Sequence, residues 1–470
     1  MEASLHSGSR VHLIRPHRTS SSCLSDAIHI GSDRYETSAV AFFCSGCVLN
    51  TLDPPGTPPS HFFDALGCFM PVAMGSTSRQ SGRDLDIVTL GYRPALDGIR
   101  GIAVLAVLVY HSGWLGGGWL GVDIFFALSG FLITTLLLEE YAETGTISLR
   151  RFYARRCLRL LPALVTLVAV LALVLLATVP PEQRVYLLIY VGAVLFYVAN
   201  WVEPLGIPLG WGFGHTWSLS IEEQFYLVWP LVLLVLLRWC RRRVVAVVAS
   251  TVVAAIVYRL VLVHNGAWLL RVSEGTDTHA DPLLIGCLLA FLARGGTLPQ
   301  SPTARRALHG LAVCALVCLG VLFMAARNPV DYAYRSVGTI AALCTGLVIV
   351  SLWLPGAPIR PLFTNSLLVG TGRLSYGLYL WHYPVFFALG VNTYGARSPV
   401  LTIAVAWALT LGATFISFRF IEEPALRLKT RFSVVDRGRL DRSVESHLDT
   451  FGATSRQSLG GGNTRPLPQE

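Results

Sequence analysis

The chain has 470 residues, 53% of them hydrophobic and 14% charged, with a mean hydropathy of +0.56 and a net charge of +9. Soluble globular proteins carry about 25% charged residues, so the composition excludes an ordinary soluble protein, and runs of roughly 18 or more apolar residues recurring from 98 to 421 indicate a polytopic, all-α membrane protein. The positive balance comes from arginine, Lys429 being the single lysine; the arginines cluster beside apolar runs rather than on one basic face, which argues against nucleic-acid binding.

Residues 1–90 are rich in Ser, Gly, Pro and His without sustained periodicity, as expected of a poorly ordered extension. The apolar stretch 38–50 is too short to span a bilayer and lacks the charged start and cleavage site of a signal peptide. Met70 and Met74, shortly before the first good span, offer later starts. Cys44 and Cys47 form a lone CxxC with no second pair or His pair nearby, so no metal site is expected.

Eleven apolar segments follow, near 98–113, 118–138, 161–179, 185–200, 216–237, 244–263, 280–295, 307–326, 335–354, 370–391 and 399–421. Basic residues collect on the cytoplasmic side of a membrane protein. Arg150, Arg151, Arg155, Arg156 and Arg159 then place the end of the second segment inside, and Arg238, Arg241, Arg242 and Arg243 do the same for 216–237. An even number of crossings must separate the two clusters. The segment 185–200 is short and follows Pro180 and Pro181, so it is the one expected not to cross. Ten transmembrane helices over 91–430 remain, with both termini cytoplasmic. Residues 431–470 read as a polar, disordered cytoplasmic tail.

The first span, DGIRGIAVLAVLVYHSG, carries two ionisable residues. Arg100 and His111 are eleven residues apart, almost three helical turns, so they share a face at a separation of roughly 16 Å along the axis. Asp97 lies one turn before Arg100 on nearly the same face. One reading is a snorkelling arginine with a structural histidine. The other is a polar path containing a general base, a role imidazole suits because it titrates near neutrality. Asp123 falls near the outer end of the second span, and Ser129-Gly130 at its middle suits close helix packing. Arg155, Arg156 and Arg159 follow at helical spacing; they serve topology, and guanidinium groups at the mouth of a span also suit a phosphate-rich ligand. His215, Glu222, Glu223 and Tyr226 enter an otherwise apolar helix, with Glu222 and Tyr226 on one face. His382, between Trp381 and Tyr383, reads either as part of an interfacial aromatic cluster or as a further site residue.

In order, the elements YRPALDGIRGIAVLAVLVYH, GVDIFFALSGFLIT, RFYARRCLRLLP, HTWSLSIEEQFYLVWP, YGLYLWHYPV and FRFIEEP, over about 91–425, resemble the acyltransferase family 3 membrane O-acyltransferases. The resemblance implies acyl transfer from a cytoplasmic acyl-CoA, acetyl-CoA foremost, to a hydroxyl of an extracytoplasmic or membrane-accessible acceptor, without a metal. The acceptor would be a cell-envelope glycan or a glycosylated small molecule, and the location the plasma membrane. The resemblance makes Arg100 and His111 the essential pair and Glu222 the motif glutamate, and it gives Arg155, Arg156 and Arg159 the acyl-CoA phosphates. Asp97, Tyr226 and His382 are secondary candidates. His111 would act as base or as transient acyl carrier. The stretch TDTHADPLLIGCLLA departs from the family pattern, with His279 and Pro282 where arginine and alanine are common. The extra esterase-like domain of some relatives is not expected here. The alternative of another class is a transporter or flippase using His111 and Arg100 as a relay; it would show inverted halves with matching broken helices, which the sequence does not suggest.

Overall fold

The computed structural model describes residues 91–202, 204–205, 212–295, 297–326, 336–391 and 398–429. All of these belong to one compact unit, 84–470. The N-terminal extension with its CxxC, and the C-terminal tail, lie outside the described residues. Every regular element among the described residues is helical.

Helix α1 (Pro94–His111) starts on a proline at its first turn, where the missing N–H costs nothing and φ is already helical. Helix α2 (Gly121–Thr144) ends on Gly145 at φ 73°, the left-handed stop that glycine adopts without strain. Helix α3 (Leu149–Thr178) takes in the arginine-rich stretch as well as the apolar run expected at 161–179, so the arginines occupy the first three turns of a continuous 30-residue helix. Two short helices follow, α4 (Arg184–Leu195) and α5 (Ala199–Val202). At 1.5 Å per residue α4 is roughly 18 Å long, well under a bilayer core of about 30 Å. The chain continues through α6 (Thr216–Trp239), α7 (Val244–His264), α8 (Leu269–Glu274), α9 (Asp281–Arg294), α10 (Pro302–Ala325) and α11 (Val337–Trp353). Then come α12 (Arg360–Phe363), α13 (Ser366–Arg373) and α14 (Ser375–Ala388). Last is α15 (Val400–Ser417), which runs through a π-turn into α16 (Glu423–Lys429).

Among the described residues, seven helical stretches are long and apolar enough to cross a membrane: 94–111, 118–144, 149–178, 216–239, 244–264, 302–325 and 400–428. The other segments expected to span are shorter. Helix α9 has 14 residues and α11 has 17, and the expected 370–391 segment is broken at Leu374 into α13 and α14. Apolar side chains face outward, with Leu173, Leu401 and Phe420 each more than 70% exposed, as a lipid-facing surface requires.

Helix α2 forms the centre, with 83% of its most apolar window buried. It packs closest on α9. A Cβ at Gly130 would stand 1.9 Å from the Leu283 carbonyl oxygen, and one at Gly286 2.1 Å from that of Ala127. Only the hydrogen side chain permits this approach, the small-residue packing of membrane helices. The Ser129-Gly130 pair is thus split in use: the glycine brings the helices together and the serine points to a site.

Candidate functional site

Near its end α1 presents His111, which lines a cavity of about 310 Å³ together with Tyr110, Trp119, His215, Trp217 and Tyr383. His111 Nδ1 lies 3.0 Å from the Val107 carbonyl oxygen and 3.3 Å from His382 Nε2. His382 is fully buried, its Nδ1 2.6 Å from the Tyr379 carbonyl oxygen and 3.1 Å from that of Leu378. Carbonyl oxygens only accept, so both Nδ1 atoms carry hydrogen, and the hydrogen bonds assign the tautomers. His382 Nε2 is then a lone pair accepting from His111, and His111 Nε2 is a second lone pair, left to act as a base. His215 stacks on Tyr383 at 5.0 Å between ring centroids and lies 5.6 Å from the His382 ring, which completes a histidine cluster.

Arg100 lines a different cavity, of about 70 Å³, with Arg156, Arg159, Ser129, Glu222 and Tyr226. Its Nη1 donates to Asp97 Oδ1 at 3.1 Å, the one-turn pair expected from the spacing. Glu222 Oε1 accepts from the Ser129 hydroxyl on α2 and from the Tyr226 hydroxyl one turn along α6. The Arg156 guanidinium lies 4.3 Å from the centroid of the Tyr226 ring, a cation–π contact. Arg155 lies outside this lining. It pairs with Glu140 Oε2 at 3.4 Å, while Glu140 Oε1 accepts the Ser148 N–H at 2.8 Å, so the two residues tie the end of α2 to the start of α3.

The two cavities share Val122 and Tyr379. The Tyr379 hydroxyl is 2.6 Å from Ser218 Oγ and donates to the His215 carbonyl oxygen at 3.1 Å, so a hydrogen-bonded tyrosine and a valine form wall common to both cavities. Arg100, Arg156, Arg159, Glu222 and Tyr226 are together on one side, and His111 and His382 are together on the other. Glu222 faces the arginines and does not line the histidine cavity.

Sequence reasoning missed Tyr379 and the donor role of Ser129. Tyr379 had a signal, since it stands one turn before His382. Ser129 had none, because its partner lies 93 positions away. His279, the departure from the family pattern, lines the histidine cavity; its Nε2 is 3.0 Å from Asp123 Oδ1 and its Nδ1 2.6 Å from the Ser273 carbonyl oxygen. The imidazole therefore binds the rim and the buried acid of α2 at once. The buried Arg259 of α7 was also passed over. It holds Asp281 at 2.7 Å and donates to the Thr278 carbonyl at 3.0 Å, which anchors the chain beside His279.

The acyltransferase-domain family (Acyl_transf_3) matches residues 93–421, a range that contains every candidate residue above. The peptidoglycan O-acetyltransferase OatA of Listeria monocytogenes serovar 1/2a is 35% identical over 352 residues, 71% of this chain and 56% of its own length. The O-acetyltransferase OatA of Staphylococcus aureus (strain NCTC 8325 / PS 47) is 34% identical over 354 residues, 71% and 57% of the two chains. A putative O-acetyltransferase of Staphylococcus aureus (strain MSSA476) is 34% identical over 355 residues, with the same coverage. The match spans just over half the length of these relatives. No solved structure matches the chain.

Proposed function

The chain belongs to the acyltransferase family 3, and from that premise we propose that it moves an acetyl group from a cytoplasmic acyl-CoA to a hydroxyl of a carbohydrate on the far side of the membrane. One observation carries the reading: Arg100 and His111 share a face of α1 yet line separate cavities that meet at Val122 and Tyr379. Donor and acceptor would enter from opposite ends and meet at that wall. By the positive-inside rule we read the arginine cavity as the cytoplasmic one, with both termini on that side and the plasma membrane as the proposed location.

In this mechanism Arg100, Arg156 and Arg159 hold the donor. His111 Nε2 takes the proton of the acceptor hydroxyl as its oxygen attacks the thioester carbonyl. The C–S bond then breaks, and the departing thiolate of CoA receives the proton from the imidazolium. His382 Nε2 and the Val107 carbonyl accept from His111 Nδ1–H throughout, which holds the ring and stabilises its charged form. Glu222, fixed by Ser129 and Tyr226, sets the arginines. The aromatic walls at Trp119, Trp217 and Tyr383 suit the apolar faces of sugar rings, and the relative from Listeria is named for peptidoglycan. A glycosylated metabolite would satisfy the same walls.

The test is turnover without a gradient. Purified protein in detergent, given radiolabelled acetyl-CoA and a panel of glycans, should form O-acetyl ester. A transporter or flippase would bind ligand under these conditions and form no ester.

A further inference from the structure

The arginine cavity has room for little: about 70 Å³, against about 310 Å³ for the histidine cavity. On the proposed reading, only the slender thioester end of a CoA donor fits there. The phosphorylated end must rest elsewhere on the same side of the protein.

A larger cavity, of about 380 Å³, opens at the start of α1, lined by Tyr92, Arg93, Trp353, Arg360 and Thr364. Arg93 is seven residues before Arg100, roughly 10 Å along α1. Arg373 Nη2 donates to the hydroxyl of Tyr92 on this cavity's wall at 2.6 Å. Two guanidinium groups meet in this cavity. The Arg93 guanidinium carbon sits over the Trp353 ring, 3.8 Å from its centroid. Arg360 is fixed through Nη2 to the carbonyls of Leu352 and Leu354, at 2.7 and 3.0 Å. Each is held by its surroundings, which lowers the entropy lost when a ligand is gripped. Burial and then the nearby Arg360 hold the Arg93 guanidinium below its ordinary range, and Glu139 opposes them. That carboxylate is shared, standing 3.9 Å from Arg294 as well. Two guanidinium groups lining one cavity attract anionic ligands, and each can bind phosphate bidentately.

We infer that the Arg93–Arg360 cavity is a phosphate subsite, which takes the phosphorylated nucleotide end of the donor while the thioester end passes Arg373 and Arg100 into the arginine cavity. This rests on the proposed donor. The same chemistry would accept the phosphate of an anionic lipid, so the experiment has an arm for each source.

Protein in nanodiscs of neutral phosphatidylcholine is titrated with adenosine 3′,5′-bisphosphate, and turnover is measured with acetyl-CoA and with S-acetylpantetheine, which lacks the phosphates. In Arg93→Gln/Arg360→Gln the Kd for the bisphosphate should rise at least tenfold. The preference for acetyl-CoA over S-acetylpantetheine, read as a ratio of kcat/KM, should fall by a similar factor. Thr364→Glu, which puts a carboxylate on the cavity wall without removing the Arg360 anchor, should act in the same direction. An unchanged preference in both variants, with acetyl-CoA still turned over, overturns the subsite and leaves the donor reading intact. So does displacement of the bisphosphate by phosphatidylglycerol added to the nanodiscs while acetyl-CoA turnover persists, since the cavity would then hold lipid phosphate. A parent protein that turns over neither thioester overturns the donor reading, and the subsite with it.

Discussion

His382→Phe isolates the contact that orients the proposed base. In the native protein the His111 Nδ1–H has two acceptors, the Val107 carbonyl at 3.0 Å and His382 Nε2 at 3.3 Å. Phenylalanine fills the buried position and offers no acceptor. Val107 still fixes the tautomer, so His111 Nε2 keeps its lone pair, but the imidazolium formed during transfer loses one of two charge-assisted partners. Such a bond contributes about 1.5–3 kcal/mol, and 1.4 kcal/mol is about tenfold. Turnover should therefore fall roughly ten- to a hundredfold, with the KM for acetyl-CoA nearly constant because the proposed donor site lies beyond Tyr379. His382→Gln, whose amide oxygen can accept the same hydrogen, should recover most of the loss. The assay is ester formation from radiolabelled acetyl-CoA, with melting temperature measured beside it. Undiminished turnover in His382→Phe would refute the orienting contact. A loss equal to that of His111→Ala would refute the division of labour between the two rings.

His111→Ala should lower turnover by about 10²–10⁴, the usual contribution of a general base, while acetyl-CoA binding by calorimetry is retained. Arg156→Gln/Arg159→Gln should raise the KM for acetyl-CoA by roughly tenfold or more and change kcat less; the opposite split would remove these residues from donor binding. Gly130→Ala should destabilise the bundle by about 1–3 kcal/mol, because its Cβ would overlap the Leu283 carbonyl and drive α9 from α2. An unchanged melting temperature there would show that the α2–α9 approach is looser than described.

The helices were legible where the code is local. The eleven-residue interval from Arg100 to His111 placed them on one face, and the Asp97–Arg100 pair followed from one turn of spacing. Hydropathy located the spans but not their ends: the arginine-rich start of α3 is polar, yet it continues the helix because its side chains have partners in Glu140 and in the cavity. Nor could hydropathy show that α13 and α14 break at Leu374. The missed site contacts are long-range. Ser129 with Glu222, Tyr379 with Ser218 and His279 with Asp123 join residues 93, 161 and 156 positions apart, and single-chain periodicity is blind to such pairs. His279 is informative here, since a histidine at that position still reaches the buried acid and the rim.

The meeting of two cavities from opposite ends is tested by sidedness. Sealed right-side-out and inside-out membrane vesicles from expressing cells contain the natural acceptor and differ in which face meets the medium. Radiolabelled acetyl-CoA is supplied outside each, and ester formed is counted before and after the vesicles are made leaky. Label should be incorporated by intact inside-out vesicles, where on the proposed orientation the arginine cavity faces the medium, with the ester reached by esterase only after leakage. Incorporation by intact right-side-out vesicles instead, or ester accessible on the same face as the donor, would contradict the proposal.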